Sequence, residues 1–194
     1  MQTVCIAGKN NIAVYGAEYL LKQYPDIKLM CLVNGNDAGY DTWQSSLKKF
    51  CTDNDVPIIS LEECYEINDL IFISLEYDRI IRPHRFKTHQ LYNIHFSKLP
   101  SYKGMYTSAL PLLFGDKESG VTLHKIDSGI DTGEIIDQMT FSLEQVMSSR
   151  ILYDLYIKHA QALFEKNISS VLSNNVTSYS QPCLLYTSPS PRDA

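Results

Sequence analysis

An amide, an imidazole and a carboxylate stand near one another in the middle of this chain. Asn93 and His95 are two residues apart, and Asp131 lies in the turn Gly129-Ile-Asp-Thr-Gly133. An amide N–H can hold a developing oxyanion, and one such donor stabilises a transition state by about 3 kcal/mol. An imidazole moves protons near neutral pH, and a carboxylate orients it and favours its charged form. Moving an acyl unit onto an amine needs these groups. Each also has an ordinary explanation: Asn93 can end a strand, His95 can bond to backbone inside a core, and Asp131 can cap its own turn. The three in combination point to chemistry. His124, seven residues before Asp131, either adjoins such a site or lies on the outer face of a strand.

The elements that must position these groups show in the hydrophobic pattern. Gln2 to Ala7, Ile27 to Val33, Asp69 to Ser74 and Leu91 to His95 are short apolar runs that read as buried strands, with Pro57 to Ile59 a shorter one. Between them, Ile12 to Gln23 has apolar residues at helical spacing and ends before Pro25. Ser45 to Asn54 reads as a helix with Leu47 and Phe50 inward, Leu61 to Tyr65 as a helical turn, and Pro83 to His89 as a short helix. Gly8 to Asn11 and Asn34 to Thr42 read as loops. Strand and helix in steady alternation predict an α/β fold, a mostly parallel sheet with helices on both faces. Such sheets hold ligands beyond the carboxyl ends of their strands, where Lys9, Asn10, Glu76 and His95 fall. Further on, Gly104 to Phe114 reads as a loop and an apolar helix. Ser119 to Ile126 and Gly133 to Phe141 read as antiparallel strands added to the sheet. Leu143 to Leu172 reads as a long helix, with Leu152, Leu155, Tyr156, His159, Leu163 and Phe164 at three- and four-residue steps.

The chain has 194 residues, 44% hydrophobic and 20% charged, with a formal net charge of −5. That suits one domain with its own core. No Lys/Arg block stands out, which argues against a nucleic-acid partner. Arg79, Arg82, Arg85 and Lys87 read as a solvated face rather than a phosphate site. Cysteines 5, 31, 51, 64 and 183 form no Cys-x-x-Cys pair, and no Cys/His spacing suits zinc, so no metal is expected. Cys5 and Cys31 lie in apolar runs and read as small, reduced core residues. With no signal peptide and no run long enough to span a bilayer, a cytoplasmic protein without a membrane partner is expected. Cys183 to Ala194 reads as the translation of a sequencing-library transposon adaptor, the alternative being a Pro/Ser-rich tail. On that reading the natural chain is cut near Pro182.

The pattern Asn93-Ile-His95, Leu99-Pro100, Tyr102-Lys-Gly104, then Gly120-Val-Thr122, His124, Asp127 and Asp131-Thr-Gly133 resembles the formyltransferase family. That family includes glycinamide ribonucleotide formyltransferase, methionyl-tRNA formyltransferase and the nucleotide-sugar N-formyltransferases. The run from Asn93 to Ser108 is similar to the nucleotide-sugar branch. Gly8-Lys-Asn-Asn11 is neither the glycine-rich loop of the purine enzyme nor the Thr-Pro loop of the tRNA enzyme. The resemblance implies a Rossmann-like formyltransferase fold, with a catalytic domain over residues 1–175, the start of a truncated C-terminal segment over 176–182, and the non-native tail over 183–194.

It further implies transfer of a formyl group from 10-formyltetrahydrofolate to the amine of a dTDP-linked amino-dideoxy sugar, on the way to surface polysaccharide such as lipopolysaccharide. Asn93, His95 and Asp131 would be catalytic. His95 as imidazolium and the Asn93 amide would donate to the oxyanion, while Asp131 holds His95 and helps move a proton. Ser74, Leu75, Glu76, Tyr77 and Ile80 resemble the stretch whose backbone cradles the pterin, with Ser128, Gly129 and Ile130 as the opposite wall. Lys9, Asn10 and Asn11, at a strand end before a helix, suit an anionic part of the acceptor. Tyr102, Lys103, Gly104 and Tyr106 would meet the sugar. Relatives carry dimer contacts after the catalytic domain, so a homodimer through the C-terminal region is expected. The rival acceptors are glycinamide ribonucleotide and methionyl-tRNA. A rival of another class is a nucleotide-binding Rossmann module without transferase activity, but Gly8-Lys-Asn-Asn-Ile-Ala13 is not its Gly-x-Gly-x-x-Gly turn.

Overall fold

Apolar runs too short for helices become the sheet. A computed structural model describes residues 2–182, and the expected non-native tail at 183–194 lies outside the described residues. The strands are β1 (Thr3–Gly8), β2 (Lys28–Val33), β3 (Ile71–Leu75), β4 (Leu91–His95), β5 (Glu118–Lys125) and β6 (Ile135–Ser142). They form one sheet in the order β2-β1-β3-β4-β5-β6. The first four pair in parallel, and β5 and β6 add antiparallel at one edge. The helices are α1 (Asn10–Gln23), α2 (Leu47–Asp53), α3 (Leu61–Glu66), α4 (Leu110–Leu113) and α5 (Ser149–Leu172), with a 3-10 turn at Pro83–Arg85.

Side chains alternate across a strand, and the two faces are covered unequally. Val4, Ile6, Ile71, Ile73, Tyr92 and Ile94 face one core with Ile12, Ala17 and Leu20 of α1 and Leu152, Tyr156, Leu163 and Phe164 of α5. Each fully buried Leu or Phe there stabilises the fold by about 1.5–3 kcal/mol. The opposite residues Cys5, Ala7, Leu32, Phe72 and Leu91 form a smaller cluster with Cys64 and Tyr65 of α3, Leu70, Ile81 and Phe86 beside the 3-10 turn. Helices thus flank both faces, but the second has little helical cover near β4 and β5. Arg85 of the expected solvated basic group lies 4.1 Å over the Tyr65 ring and pairs with Glu62. Lys87 pairs with Glu66.

Several boundaries differ from the sequence expectation, for local reasons. Only Lys9 separates β1 from α1, because Asn10 takes φ +61° and the chain turns directly into the helix, whereas a loop to Asn11 was expected. The long helix begins at Ser149, not Leu143. The Ser148 side chain accepts from Ile151 N–H at 3.2 Å and caps it there, while Leu143 N–H is engaged by Lys117. The apolar helix before Phe114 is a single turn that leaves Leu113 and Phe114 exposed. The expected helix at 83–89 shrinks to the 3-10 turn, and the 57–59 strand to one bridge between Cys31 and Ile58. α2 and α3 start where Ser46 and Ser60 cap them, the latter with a reciprocal Glu63 bond.

Gly8 closes β1 beside the functional edge. A Cβ at this position would lie 1.7 Å from the Leu75 carbonyl oxygen, so the ends of β1 and β3 approach only because no side chain intervenes.

Candidate active site

β4 and β5 run antiparallel with Asn93 opposite His124 and His95 opposite Thr122. Residues two apart on a strand share a face, so all four project from the side of the sheet that lacks helical cover. From the flanking loops 96–109 and 126–134, Tyr102, Gly104 and Asp131 reach that side, whereas Phe96 and Thr107 pack on Tyr156 across the sheet. Thr122 holds the first: its hydroxyl donates to the Ser97 carbonyl at 2.7 Å and accepts from Leu99 N–H at 3.1 Å. The second carries Asp131, in the left-handed region at φ +52°, a conformation Asp tolerates better than most residues.

The expected amide, imidazole and carboxylate converge. Asn93 Nδ2 donates to Asp131 Oδ1 at 3.3 Å. His95 Nδ1 lies 3.5 Å from Asp131 Oδ2, and Gly104 N–H donates to that oxygen at 2.8 Å. His124 joins them. It is 2% exposed, and its Nε2 lies 3.0 Å from Asn93 Nδ2 and 3.4 Å from Asp131 Oδ1. Of its two expected settings, it occupies the one beside the site.

Proton positions follow from partners that can only accept. His95 Nε2 is 2.8 Å from the Tyr102 carbonyl, and His124 Nδ1 is 2.7 Å from the Lys125 carbonyl. Those nitrogens therefore carry N–H. In neutral His124 the lone pair on Nε2 accepts from Asn93. In neutral His95 the lone pair on Nδ1 faces the Asp131 carboxylate, so a proton arriving there turns an acceptor–acceptor contact into an ion pair. Burial pushes the His95 imidazole below its ordinary pKa, and the Asp131 charge and the Tyr102 carbonyl oppose this only in part. Burial alone would raise Asp131, but its contact with His124 Nε2, the positive charge that His95 carries once protonated at low pH and the Gly104 N–H hold it at about 2. The resting pair is a carboxylate beside a neutral imidazole. Its N–H donors are already engaged by protein acceptors, so a reacting oxygen must take one from Asp131 or Tyr102.

The remaining candidates divide. Ser74 pairs in register with Asn93 and shares its face. Leu75 is core, and Tyr77 packs against the second cluster. Ile80, Ser128, Gly129 and Ile130 are exposed. Glu76, at φ +60°, turns to the other side of the sheet edge, where Tyr153 O–H donates to its Oε2 at 2.8 Å and Asn10 Nδ2 at 3.4 Å. A residue expected at the pterin and one expected at the acceptor are thus in contact. Burial pushes the Glu76 carboxyl up, against the lowering effect of Tyr153 and Asn10. Lys9 precedes an α1 N-terminus that has no side-chain cap and no acid in its first turn, which suits an anion. Asn11 instead anchors the 37–46 loop by accepting from Ser45 N–H at 2.8 Å. The Tyr102 ring bonds Asp116 and stacks near Phe114, so only its carbonyl reaches the site. Gly104 contributes its N–H, while Lys103 and Tyr106 are exposed.

Tyr153 and Gln181 were not singled out. Gln181 Nε2 donates to the carbonyls of Asp131 and Gly133, both at 2.8 Å. Nothing in the local pattern of either residue marks such a contact. Beside the site, among Pro100, Lys103, Lys125, Asp127, Gly133, Gln181 and neighbouring residues, lies a cavity of about 760 Å³. Among the described residues, no group of three or more His, Cys, Asp or Glu side chains is placed to hold a metal ion, and no helix is long and apolar enough to cross a membrane.

Comparison with known proteins gives this cleft a family. A formyl transferase model matches residues 66–166, more than half of the chain. Over the whole chain, the structure is similar to an N-formyltransferase from Helicobacter canadensis solved with folinic acid and dTDP-3-aminofucose. The likeness has 44% identity and a TM-score of 0.90, covering 72% of that protein. It is equally similar to WlaRD, a sugar 3N-formyl transferase solved in the presence of dTDP and 5-N-formyl-THF, at 46% identity and a TM-score of 0.91 over 100% of this chain and 71% of that one. Methionyl-tRNA formyltransferase from Fervidobacterium nodosum is 33% identical over 96 residues, 50% of this chain and 31% of that protein. The chain therefore spans about a third of that curated relative's length. A family match centred on the strands that carry Asn93, His95 and His124, joined to whole-chain likeness above 40% identity, leads to one conclusion: this chain belongs to the formyl transferase family.

Proposed function

We propose that this chain transfers a formyl group from 10-formyltetrahydrofolate to the amine of a dTDP-linked amino-dideoxy sugar. The observation that carries the reading is the contact of Asp131 with Asn93, His95 and His124 at 3.3, 3.5 and 3.4 Å, in a chain whose whole length resembles sugar N-formyltransferases. The residues fit a flat, partly apolar donor. Ile130, next to Asp131 in the chain, and Met105 and Tyr106, which follow Gly104, are large apolar side chains left 57–72% exposed. The backbone of Ser74, Leu75, Glu76 and Tyr77, with Ile80, on one side and Ser128, Gly129 and Ile130 on the other would hold it, while the Glu76 side chain stays with Tyr153 and Asn10. When bound, 10-formyltetrahydrofolate supplies a one-carbon acyl unit on nitrogen.

In the net change, a C–N bond forms at the acceptor amine, another breaks at the donor nitrogen, and one proton moves between them. The chain's own groups serve each need. Asn93 donates an amide N–H to the oxygen on which charge develops, in exchange for its long bond to Asp131. His95 takes a proton at Nδ1, where Asp131 balances the charge, and returns it. His124 fixes the Asn93 amide through its own backbone-set tautomer. Lys9, Asn10 and the uncapped start of α1 receive the anionic diphosphate, with Asn11 holding the adjoining 37–46 loop, while Lys103, Gly104, Tyr106 and the Tyr102 carbonyl border the sugar. Residues 1–175 act as the catalytic domain, with a homodimer forming through the segment that follows. The same reading puts the reaction in the cytoplasm and its product in surface polysaccharide such as lipopolysaccharide.

The test is an acceptor screen with 10-formyltetrahydrofolate, in which dTDP-linked amino sugars are followed by mass spectrometry. One of them should gain a formyl group, and His95→Ala should abolish the gain. Formylation of glycinamide ribonucleotide or methionyl-tRNA, with every amino sugar refused, would overturn the acceptor assignment.

A further inference from the structure

The loop that carries Asp131 is held from two sides. On one side Gly104 N–H donates to the carboxylate. On the other, a segment beyond the 66–166 family match comes back to it. Tyr179 and Ile135 exchange both backbone hydrogen bonds at 2.9 Å, and the Ser178 hydroxyl donates to Glu134 Oε2 at 2.7 Å. This seats Gln181 so that its amide nitrogen donates to the carbonyls of Asp131 and Gly133, both at 2.8 Å. Asp131 is in the left-handed region, a strained setting that persists only where the surroundings enforce it. Gly133 is pressed on Lys125, since a Cβ there would lie 1.8 Å from the Lys125 carbonyl. The two carbonyls that Gln181 clamps therefore belong to the catalytic carboxylate and to the tightest point of its loop.

We propose that Gln181 is a positioning residue for Asp131, so that the segment 178–181 is part of the active site although it contributes no reacting group. The proposal rests on the formyl-transfer reading for its kinetic consequence but not for its geometry. Gln181 acts by keeping Oδ1 against Asn93 and His124 and Oδ2 against His95. Without its N–H groups the carbonyls of residues 131 and 133 turn toward water, and the carboxylate leaves its three partners.

The test uses the full chain, its Gln181→Met variant, which keeps length and bulk but removes both donors, and Gln181→Glu. Turnover, KM for donor and acceptor, thermal midpoint, and the NMR titration of the His95 imidazole are measured for each. Gln181→Met should lower kcat roughly 10- to 100-fold, the scale of small misplacements in a site. Both KM values should stay within about twofold, and the His95 titration should shift. Gln181→Glu should be poor at neutral pH, where its carboxylate cannot donate, and should gain on the wild type as pH falls and it protonates. Wild-type kcat and an unchanged His95 titration in Gln181→Met would overturn the proposal. If Gln181→Met does not fold, a pH-independent activity ratio for Gln181→Glu would overturn it in the same way. If the wild type formylates no acceptor, the functional reading fails, while the His95 titration still decides the role of Gln181.

Discussion

Asp131→Asn removes one charge while keeping the side-chain shape, and the structure sets what that charge is worth. The carboxylate lies 3.5 Å from His95 Nδ1 and 3.4 Å from His124 Nε2. A unit charge pair at that distance interacts by about 5 kcal/mol at an effective dielectric near 20. The bond from Gly104 N–H can survive on the amide oxygen. The new NH₂ then faces Asn93 Nδ2, which now donates to Oδ1 at 3.3 Å, so donor meets donor. Protonated His95 loses its counter-charge, and burial already disfavours that form. The expected loss in kcat is roughly 10²- to 10⁴-fold, the range for general acid–base groups. In an NMR titration His95 should protonate at lower pH than in the wild type.

Stability gives a second readout with a defined sign. Asp131 sits at about 2 in the folded chain against an ordinary 3.8. Its contribution is therefore present above the unfolded value and lost as pH falls from about 4 to about 2. That difference amounts to about 2 kcal/mol at neutral pH. Asp131→Asn should lower the neutral-pH melting midpoint by roughly 4–8 °C and flatten the loss of stability below pH ~4. Turnover within threefold of wild type, together with an unmoved His95 titration, would refute the assignment of Asp131 as the balancing charge.

Three further outcomes follow. Tyr153→Phe removes the 2.8 Å bond to Glu76 and should cost about 1–3 kcal/mol at pH 7. Because the folded Glu76 value is raised above its ordinary 4.5, the group's contribution is full below that value and lost as pH rises. Urea unfolding should thus show the variant least affected near pH 4 and most at neutral pH. Gly8→Ala puts a Cβ 1.7 Å from the Leu75 carbonyl and must part β1 from β3, so it should destabilise by about 3 kcal/mol or leave the chain insoluble. Leu163→Ala, at a fully buried position on α5, should cost about 2–5 kcal/mol yet leave kcat unchanged below its new midpoint. A lowered kcat there would show that α5 packing and the cleft are coupled.

The order of elements was legible because its signals are local. Val4, Ile6, Ile71 and Ile73 sit in runs too short for anything but strands. Helical spacing marks α1 and α5. The boundaries missed, Asn10 and Leu143, turn on a left-handed residue and a serine cap. Such features change where a pattern stops without changing the pattern. Asn93 and His95 could be paired from their two-residue spacing on a strand, and Asp131 from its Gly-flanked turn.

Determined by the sequence alone were an α/β sheet and an amide, an imidazole and a carboxylate at loop-bearing strand ends. Tertiary structure alone decided that His124 joins them across β4 and β5. It alone decided that Glu76 turns away to meet Tyr153, 77 residues on, and that Gln181 returns across 50 residues to grip the Asp131 loop. Periodicity and caps act over one or two turns of chain. Which donor meets which distant carbonyl is set by how the packed layers bring loop ends together, and no local residue pattern encodes that.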